Sequence, residues 1–558
     1  MTTQDLAAAI ASARAHRADL MRLPGVIAVR GGYKFVGGRI TQTPAVVVAV
    51  DRKRDDVTGA DAVPAVLPDG MPTDVTVADP VERIEAAGLE TPRVATPPLL
   101  IEELQAPGGP AGGDEAEAEA IVPITYKPPP GVSLAPVTGP MVLTCHVSPD
   151  AGWRVLRRFL RETEGDITLG MYDFTAPHIY RAVRRLLQDK PVTWRQTLGE
   201  RESLPGPDDI DSTKADDKTE ASIIKGLGRV APDRFENAFA KTGRGRTFAS
   251  AYHIKVAVRD GQAFWLSSGN WQSSNQPVTD FLSDDADRRL IRDYNREWHI
   301  VVEHPGLAAT FSQFLQHDFR TAQSEEEAPE RPEPDMPELL VPLDGDLEAA
   351  ARRPPDVFAP AEFSFDEADP LTIEPILTPD NYAEVVLGLL RERPQRQLYF
   401  QNQSLNPVLQ PSPAWAELLR LLVEYSQDAS LDVRIILRDI GPIRKKLESL
   451  QAAGFDMTKV RVQEGCHTKG IVIDSETVLL GSHNWTDQGV QVNRDASLLI
   501  RRPEIAQYYE KVFLHDWEHM ARPTIREEAM PIPVAPGDGD EAIDQGFRRI
   551  PWSAWEEE

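Results

Sequence analysis

Two segments of this 558-residue chain carry the same string in the same frame. His253-Ile254-Lys255 is followed, after four residues, by Asp260; His467-Thr468-Lys469 is followed, after four residues, by Asp474. An Asn-Trp pair lies 17 and 18 residues past each histidine, at Asn270-Trp271 and Asn484-Trp485. The agreement continues downstream. Asn295-Arg296-Glu297 matches Asn493-Arg494-Asp495, with Pro305 and Pro503 each 10 residues further on and His317-Asp318 and His515-Asp516 at 22 and 23. Matched offsets over this length mean an internal duplication. The chain therefore has to fold as two similar units, each presenting one histidine and one lysine. Copy one also carries 16 extra residues near 275–292 and a second extra segment near 202–235, both polar and expected to form loops.

The rhythm around the motifs is α/β. In the first copy MVLTCHVS, ITLGMYDF (167–174) and VTWRQTL read as strands, with helices after Ser148-Pro149-Asp150 and over 177–188. Proline just inside a helix start and an acid in its first turn are the expected opening. The second copy repeats the order from Thr378-Pro379-Asp380 through QLYFQNQSL, a helix at 413–426 and LDVRIILRD. Ahead of both, residues 1–87 combine a helical pattern at 5–20, a Gly-Gly-broken β-rich stretch at 23–54 and a strand at 74–81. They read as a small α+β module of no legible role. The expected organisation is thus 1–87 module, 88–139 Pro/Gly/acidic linker, 140–323 first half, 324–370 acidic linker, 371–525 second half and 526–558 acidic tail.

A net charge of −27 argues against an anionic ligand only if it is spread evenly. It is not: residues 102–119, 324–348 and 527–558 carry −6, −9 and −7, so −22 of the total lies in segments that read as solvated. The remainder is mildly acidic and has no basic block of the kind that marks nucleic-acid binders. Two cysteines, Cys145 and Cys466, form no zinc spacing and no disulfide framework, and each reads as a small buried apolar residue. The N-terminus lacks an apolar signal core, and no stretch approaches 18 apolar residues. A soluble, cytoplasmic protein is expected, with export by another route left open.

The paired motifs, with SSGNW at 267–271 and GSHNW at 481–485, resemble the phospholipase D superfamily over roughly residues 140–525. That resemblance implies two α/β/α halves about a pseudo-two-fold, one active site at their junction, no cofactor and no metal. It also implies attack on a phosphodiester through a phosphohistidine. The residue types suit the task. On a strand, residues i and i+2 share a face, so His253 with Lys255 and His467 with Lys469 are expected to project together. Two ammonium groups and the amides of Asn270 and Asn484 then offset charge on the non-bridging oxygens. One imidazole attacks phosphorus, and the other protonates the leaving oxygen. The usual family order makes His253 the nucleophile and His467 the acid/base, though the near-symmetry of the motifs leaves the reverse order open.

Glu297 and Asp495, by matched position, are the candidates to orient the rings. Asp260 and Asp474 lie too far along their strands and are expected to brace strand ends. Ser268 and Ser482 are expected as supporting donors to phosphate. His483 stands where copy one has Gly269 and reads either as a third histidine at the cleft or as a solvent-side strand residue, while Trp271 and Trp485 read as core. The expected substrate is a phospholipid met by transient contact with a membrane surface, with hydrolysis or transfer to an alcohol both open. Nucleic acid is the rival substrate, and a catalytically dead binding module is the remaining alternative. Since one chain carries both half-sites, a monomer suffices.

Overall fold

The computed structural model of the protein describes residues 3–54, 57, 59–86, 124–199, 220–243, 245–325, 338–342, 355–408, 411–439, 443–525, 532–534 and 547–551. The acidic run 102–119 and most of the other two acidic segments lie outside them. The N-terminal unit comprises α1 (Thr3–Leu20), β1 (Val26–Val36), β2 (Arg39–Val50), β3 (Thr73–Val77) and α2 (Pro80–Ala86). The first half runs β4 (Val137–Gly139), β5 (Met141–Ser148), α3 (Gly152–Arg161), β6 (Asp166–Met171), α4 (Pro177–Asp189), β7 (Thr193–Gly199), α5 (Glu220–Val230), β8 (Phe235–Ala240), β9 (Lys255–Arg259), β10 (Ala263–Ser267), β11 (Glu297–Glu303) and α6 (Pro305–Glu325). Then come β12 (Glu338–Pro342) and β13 (Ala361–Phe365). The second half runs β14 (Leu371–Leu377), α7 (Tyr382–Arg391), β15 (Gln397–Asn402), α8 (Pro413–Gln427), β16 (Asp432–Arg438), α9 (Ile443–Ala453), β17 (Val460–Gln463), β18 (Lys469–Ile473), β19 (Thr477–Gly481), α10 (Asp487–Gln491), β20 (Ala496–Arg501) and α11 (Pro503–His519). The last strands are β21 (Ile532–Val534) and β22 (Phe547–Pro551).

Each half builds an eight-stranded sheet. The orders, β13-β5-β11-β10-β9-β6-β7-β8 and β17-β16-β15-β18-β19-β20-β14-β4, are the same order read in opposite directions. In each, the three consecutive strands with helical crossovers are parallel (β6-β7-β8 and β15-β16-β17) and the rest are antiparallel. This is the α/β class with the predicted halves, and the small α+β unit precedes them. The segments read as linkers are not structureless. From the 88–139 segment, β4 joins the second half's sheet beside β14. From the 324–370 segment, β13 joins the first half's sheet beside β5. Each half thus borrows its edge strand from the segment leading into the other, which covers the longer β5 and β14 with a short edge strand. From the segments read as linker and tail, β12 pairs with β21 and β22 in a separate three-stranded sheet.

One apolar core runs beneath the junction. It joins Leu143, Val147, Phe264, Trp298 and Phe311 of the first half to Val472, Leu480, Leu498, Tyr509 and Phe513 of the second. Burial of each such side chain is worth roughly 1.5–3 kcal/mol. Close approach needs Gly470, where a Cβ would fall 2.3 Å from the Trp298 ring across the junction. Charge also locks the halves. Arg296 is bonded to Asp150 of its own half and to Asp516 of the other; Arg494 pairs with Asp380 of its own half and with Asp318 of the other. Asp150 and Asp380 are therefore not helix-dipole partners, as their place before α3 and α7 suggested. The helices start two residues later, at Gly152 and Tyr382, and the acids turn inward to the arginines.

The N-terminal unit docks on α9 of the second half. Arg30 bonds to Glu448 and Glu82, Arg444 to Asp74, and Lys445 to Asp79 and Glu82 at 2.6 and 3.1 Å. Phe35 enters the second half's core, with the Arg444 guanidinium 4.0 Å from its ring centre. Among the described residues no helix is long and apolar enough to cross a membrane.

Candidate active site

The two histidines sit two residues ahead of their strands, not on them. β9 and β18 begin at the lysines, and the residues before leave the sheet to bond across the pseudo-two-fold. Tyr252 forms a parallel bridge with Arg494, and Cys466 forms one with Arg296. The His253 amide donates to the Arg494 carbonyl at 2.8 Å, and the His467 amide donates to the Arg296 carbonyl at 3.2 Å. Each histidine is thereby anchored beside the residue that precedes the other half's carboxylate.

The carboxylates consequently serve the opposite half. His253 Nδ1 lies 2.8 Å from Asp495 Oδ1, in a hydrogen bond, and His467 Nδ1 lies 2.7 Å from Glu297 Oε1. Ser268 donates to Glu297 at 2.5 Å and Ser482 to Asp495 at 2.6 Å. Both hydroxyl oxygens also accept an amide, from Trp298 and Ala496. The serines are not spare donors to phosphate, because their protons are committed to the carboxylates.

Lys255 donates to the His253 carbonyl at 2.8 Å and lies 5.4 Å from the Tyr172 ring centre. Lys469 reaches the His467 carbonyl (2.9 Å), Gln403 Oε1 (2.9 Å), both His467 ring nitrogens (3.1 Å) and, across the junction, the Ser268 carbonyl (3.3 Å). All four motif side chains are buried. Asn270 is buried and Asn484 half-buried, and neither amide oxygen has a hydrogen-bond partner among the described residues. Asp260 and Asp474 do not approach this cluster. At φ 54° and 55°, each turns back to accept backbone amides, of Glu164, Gly165 and Asp166 in one half and of Gln395, Arg396 and Gln397 in the other.

Three side chains at the cluster were not singled out from sequence. Tyr172 and Gln403 each follow the strand residue paired with their half's lysine, Met171 beside Lys255 and Asn402 beside Lys469. Extending the repeat alignment to β6 and β15 would have matched them. Arg438, at the end of β16, is the third; β7 of the first half ends on Gly199 at the equivalent place, so no repeat signal marks it.

His483 is neither at the cleft nor in solvent. Its Nε2 bonds to Thr378, its Nδ1 lies 2.7 Å from Ser497 Oγ, and it stacks 3.8 Å from the Tyr382 ring. The first half fills the same need from the neighbouring strand: His299, at the position of Ser497, bonds to Ser267 at 2.6 Å and Ser148 at 2.8 Å. Gly269 stays bare because a Cβ there would fall 2.5 Å from the Glu297 carboxyl; the second half has the shorter Asp495. Trp271 and Trp485 are core residues. Burial pushes both cysteine thiols up to about 12, leaving them inert.

The electrostatics break the two-fold. Burial opposes the charge on Asp495, but His253, His483 and Lys255 outweigh it and hold the carboxyl at about 2. Burial dominates at Glu297, pushing it up to about 8 against the pull of Lys469. Burial, then the neighbouring lysine, lowers both imidazoles, His467 well below its ordinary value. Lys469 is also driven well down, by burial and by Lys255 and Arg438, with Glu297 acting against them. In the coupled Glu297–His467 pair the proton sits on the carboxyl side, since the lysine and arginine facing the ring disfavour an imidazolium. The result is a buried pocket whose basic groups disfavour one another's charged forms, a penalty that one anion would relieve. Among the described residues no group of three metal-ligating side chains occurs.

A family model described as "Cardiolipin synthase, PLD-like domain" matches residues 408–517, which hold His467, Lys469, Asp474, Asn484 and Asp495. Residues 408–517 therefore carry a phospholipase D-like domain. That domain indicates a phosphodiester-acting enzyme. It is similar to phosphatidylserine synthase of Haemophilus influenzae at 12% identity and TM-score 0.41, over 69% of this chain and 89% of that one. It is also similar to Nuc, a phospholipase D family member from Salmonella typhimurium (19% identity, TM-score 0.23, over 27% and 97%), and to NucT from Helicobacter pylori (12%, 0.24, over 32% and 97%). No curated protein matches the phospholipase D-like chain.

Proposed function

We propose that the protein cleaves a phospholipid phosphodiester in two steps, with His253 as nucleophile and His467 as acid and base. The observation that carries the assignment is the aligned His253–Asp495 hydrogen bond beside an ionised carboxylate. It fixes the proton on Nδ1 and leaves Nε2 with its lone pair for phosphorus. The His467–Glu297 pair differs in kind, holding a proton near neutral pH that a bound phosphate, by offsetting Lys469, draws onto the ring. In the first step Nε2 of His253 forms a bond to phosphorus, the bond to the leaving oxygen breaks, and His467 gives that oxygen its proton. In the second, His467 takes the proton of a water or an alcohol, the new oxygen bonds to phosphorus, and the P–N bond breaks. Lys255, Lys469, Asn270 and Asn484 surround the non-bridging oxygens.

Phospholipid is favoured as the substrate class by the likeness of residues 408–517 to a cardiolipin synthase domain. The test is incubation of wild type and His467→Ala with labelled phosphatidylglycerol and phosphatidylcholine vesicles and, separately, with single-stranded DNA. Lipid cleavage by wild type alone, with acid-quenched label on His253, is expected. Cleavage of DNA only would reject the phospholipid reading, and label on His467 in the wild type would reverse the two roles.

A further inference from the structure

The two halves share a topology but not a surface. On α3, Arg154, Arg157, Arg158 and Arg161 follow at i, i+3, i+4 and i+7, a spacing that aligns them on one helix face while Val155, Leu156, Phe159 and Leu160 are buried. On the adjacent α4, Arg181, Arg184 and Arg185 are exposed. These two helices hold seven arginines against one acid, Asp189. Their counterparts α7 and α8 hold two arginines against three glutamates. Like charges at this spacing repel and weaken a helix. Two of the seven have acidic partners, Arg154 with Asp280 and Arg158 with Glu362. The other five have no carboxylate partner among the described residues.

The extra loop of the first half meets the same face. Val278, Thr279 and Asp280 form one wall of a groove of about 500 Å3 whose other wall is the arginine face of α3, with Trp153 in its lining. Val278 is 63% exposed, one of the few large apolar side chains left in water. The groove contains none of the motif histidines or lysines. Two departures from the internal symmetry, the inserted loop and the arginine face, thus come together at one place.

We infer that the α3–α4 face docks the enzyme on an anionic membrane surface, with headgroup phosphates against the arginines and Val278 at the acyl boundary. This deepens the phospholipid reading and rests on it. Charge complementarity selects an anionic surface despite the chain's overall −27, because screening confines attraction to about 8 Å at physiological salt, so the local arginine face outweighs the net charge. The exposed apolar side chain at the rim favours a bilayer over a nucleic acid, whose backbone offers it no partner.

The experiment is sedimentation of the full chain with vesicles of phosphatidylcholine alone or with added phosphatidylglycerol. The comparison uses wild type, Arg157→Ala/Arg161→Ala and Arg184→Ala/Arg185→Ala, all checked for unchanged melting. Wild type is expected to partition at least tenfold more strongly onto the anionic vesicles, and each double variant to lose about 25-fold, some fivefold per arginine. Turnover of soluble bis(4-nitrophenyl) phosphate is expected to stay the same in all three. Equal partition onto both vesicle types, or variants that bind like wild type, would overturn the inference. So would a DNA duplex that binds through these arginines while vesicles do not. Failure of the catalytic reading would show separately, as loss of soluble-diester turnover in a wild type that still binds vesicles.

Discussion

His253 and Asp495 are 242 positions apart in the chain and 2.8 Å apart in space, in opposite halves. Asp495→Asn keeps the size of the side chain but lets an amide face Nδ1, so the ring's tautomer is no longer fixed. The expected loss in kcat is about 10²–10⁴, with KM within about threefold. A residue that only braced the fold would instead lower the melting temperature and leave kcat intact. Single-turnover kinetics on bis(4-nitrophenyl) phosphate, alongside a melt, distinguishes the two.

Proton supply sets the alkaline limit. The Glu297 carboxyl, pushed up to about 8 by burial, holds its proton below that pH and loses it above. Asp495 is ionised above about 2 and His253 neutral near pH 7, so neither limits the neutral range. A pH profile of kcat/KM should be level through neutral pH and fall above about 8. In Glu297→Gln the fall near 8 should vanish along with most of the activity. An inflection at the same pH in that variant would assign it to another group.

Anion binding should take up protons. Lys469 and His467 are both driven below their ordinary values by burial and mutual repulsion, and an anion favours their charged forms. Titration calorimetry with inorganic phosphate at pH 7.5, in buffers of differing ionisation enthalpy, should report uptake of up to one or two protons. Lys469→Met should reduce that uptake, and proton release in the wild type would contradict the electrostatic account.

Arg494 holds Asp318 and Asp380 in the interior. Arg494→Met strands the buried Asp318 and half-buried Asp380 carboxylates and is expected to cost about 3–5 kcal/mol in urea denaturation. The triple variant Arg494→Met/Asp318→Asn/Asp380→Asn should recover most of the loss, because nothing charged is then left unpaired. A small loss in the single variant would mean that water reaches the site.

Asp474→Ala leaves three amides at the start of β15 without an acceptor. Stability should fall by about 1–3 kcal/mol, with kcat per folded molecule within about threefold. A loss of kcat as deep as that of Asp495→Asn would place Asp474 in the chemistry.

Much of this site could be read from the chain. Both histidines, both lysines and the two carboxylates stand at matched offsets, and matched offsets in a duplication identify equivalent residues whatever the fold does between them. The helices and most strands followed from apolar spacing. Arg438 could not be read, since it breaks the repeat. Ser268 and Ser482 were misread because a hydroxyl's role depends on the acceptor beside it, and their acceptors, Glu297 and Asp495, sit at the head of the next strand. The segments around β4 and β13 looked like linkers because three- and five-residue edge strands carry almost no periodicity.

The sequence by itself determined the ingredients: two units, two imidazoles, two ammonium groups and two carboxylates. Only the tertiary structure decided the pairing. Offsets relate each residue to its twin, but function depends on partners, and the backbone bonds of His253 to Arg494 and His467 to Arg296 hand each ring the other half's acid. The same holds for charge. Equal motifs do not give equal proton affinities, because burial outweighs the neighbouring charges at Glu297 and is outweighed by them at Asp495.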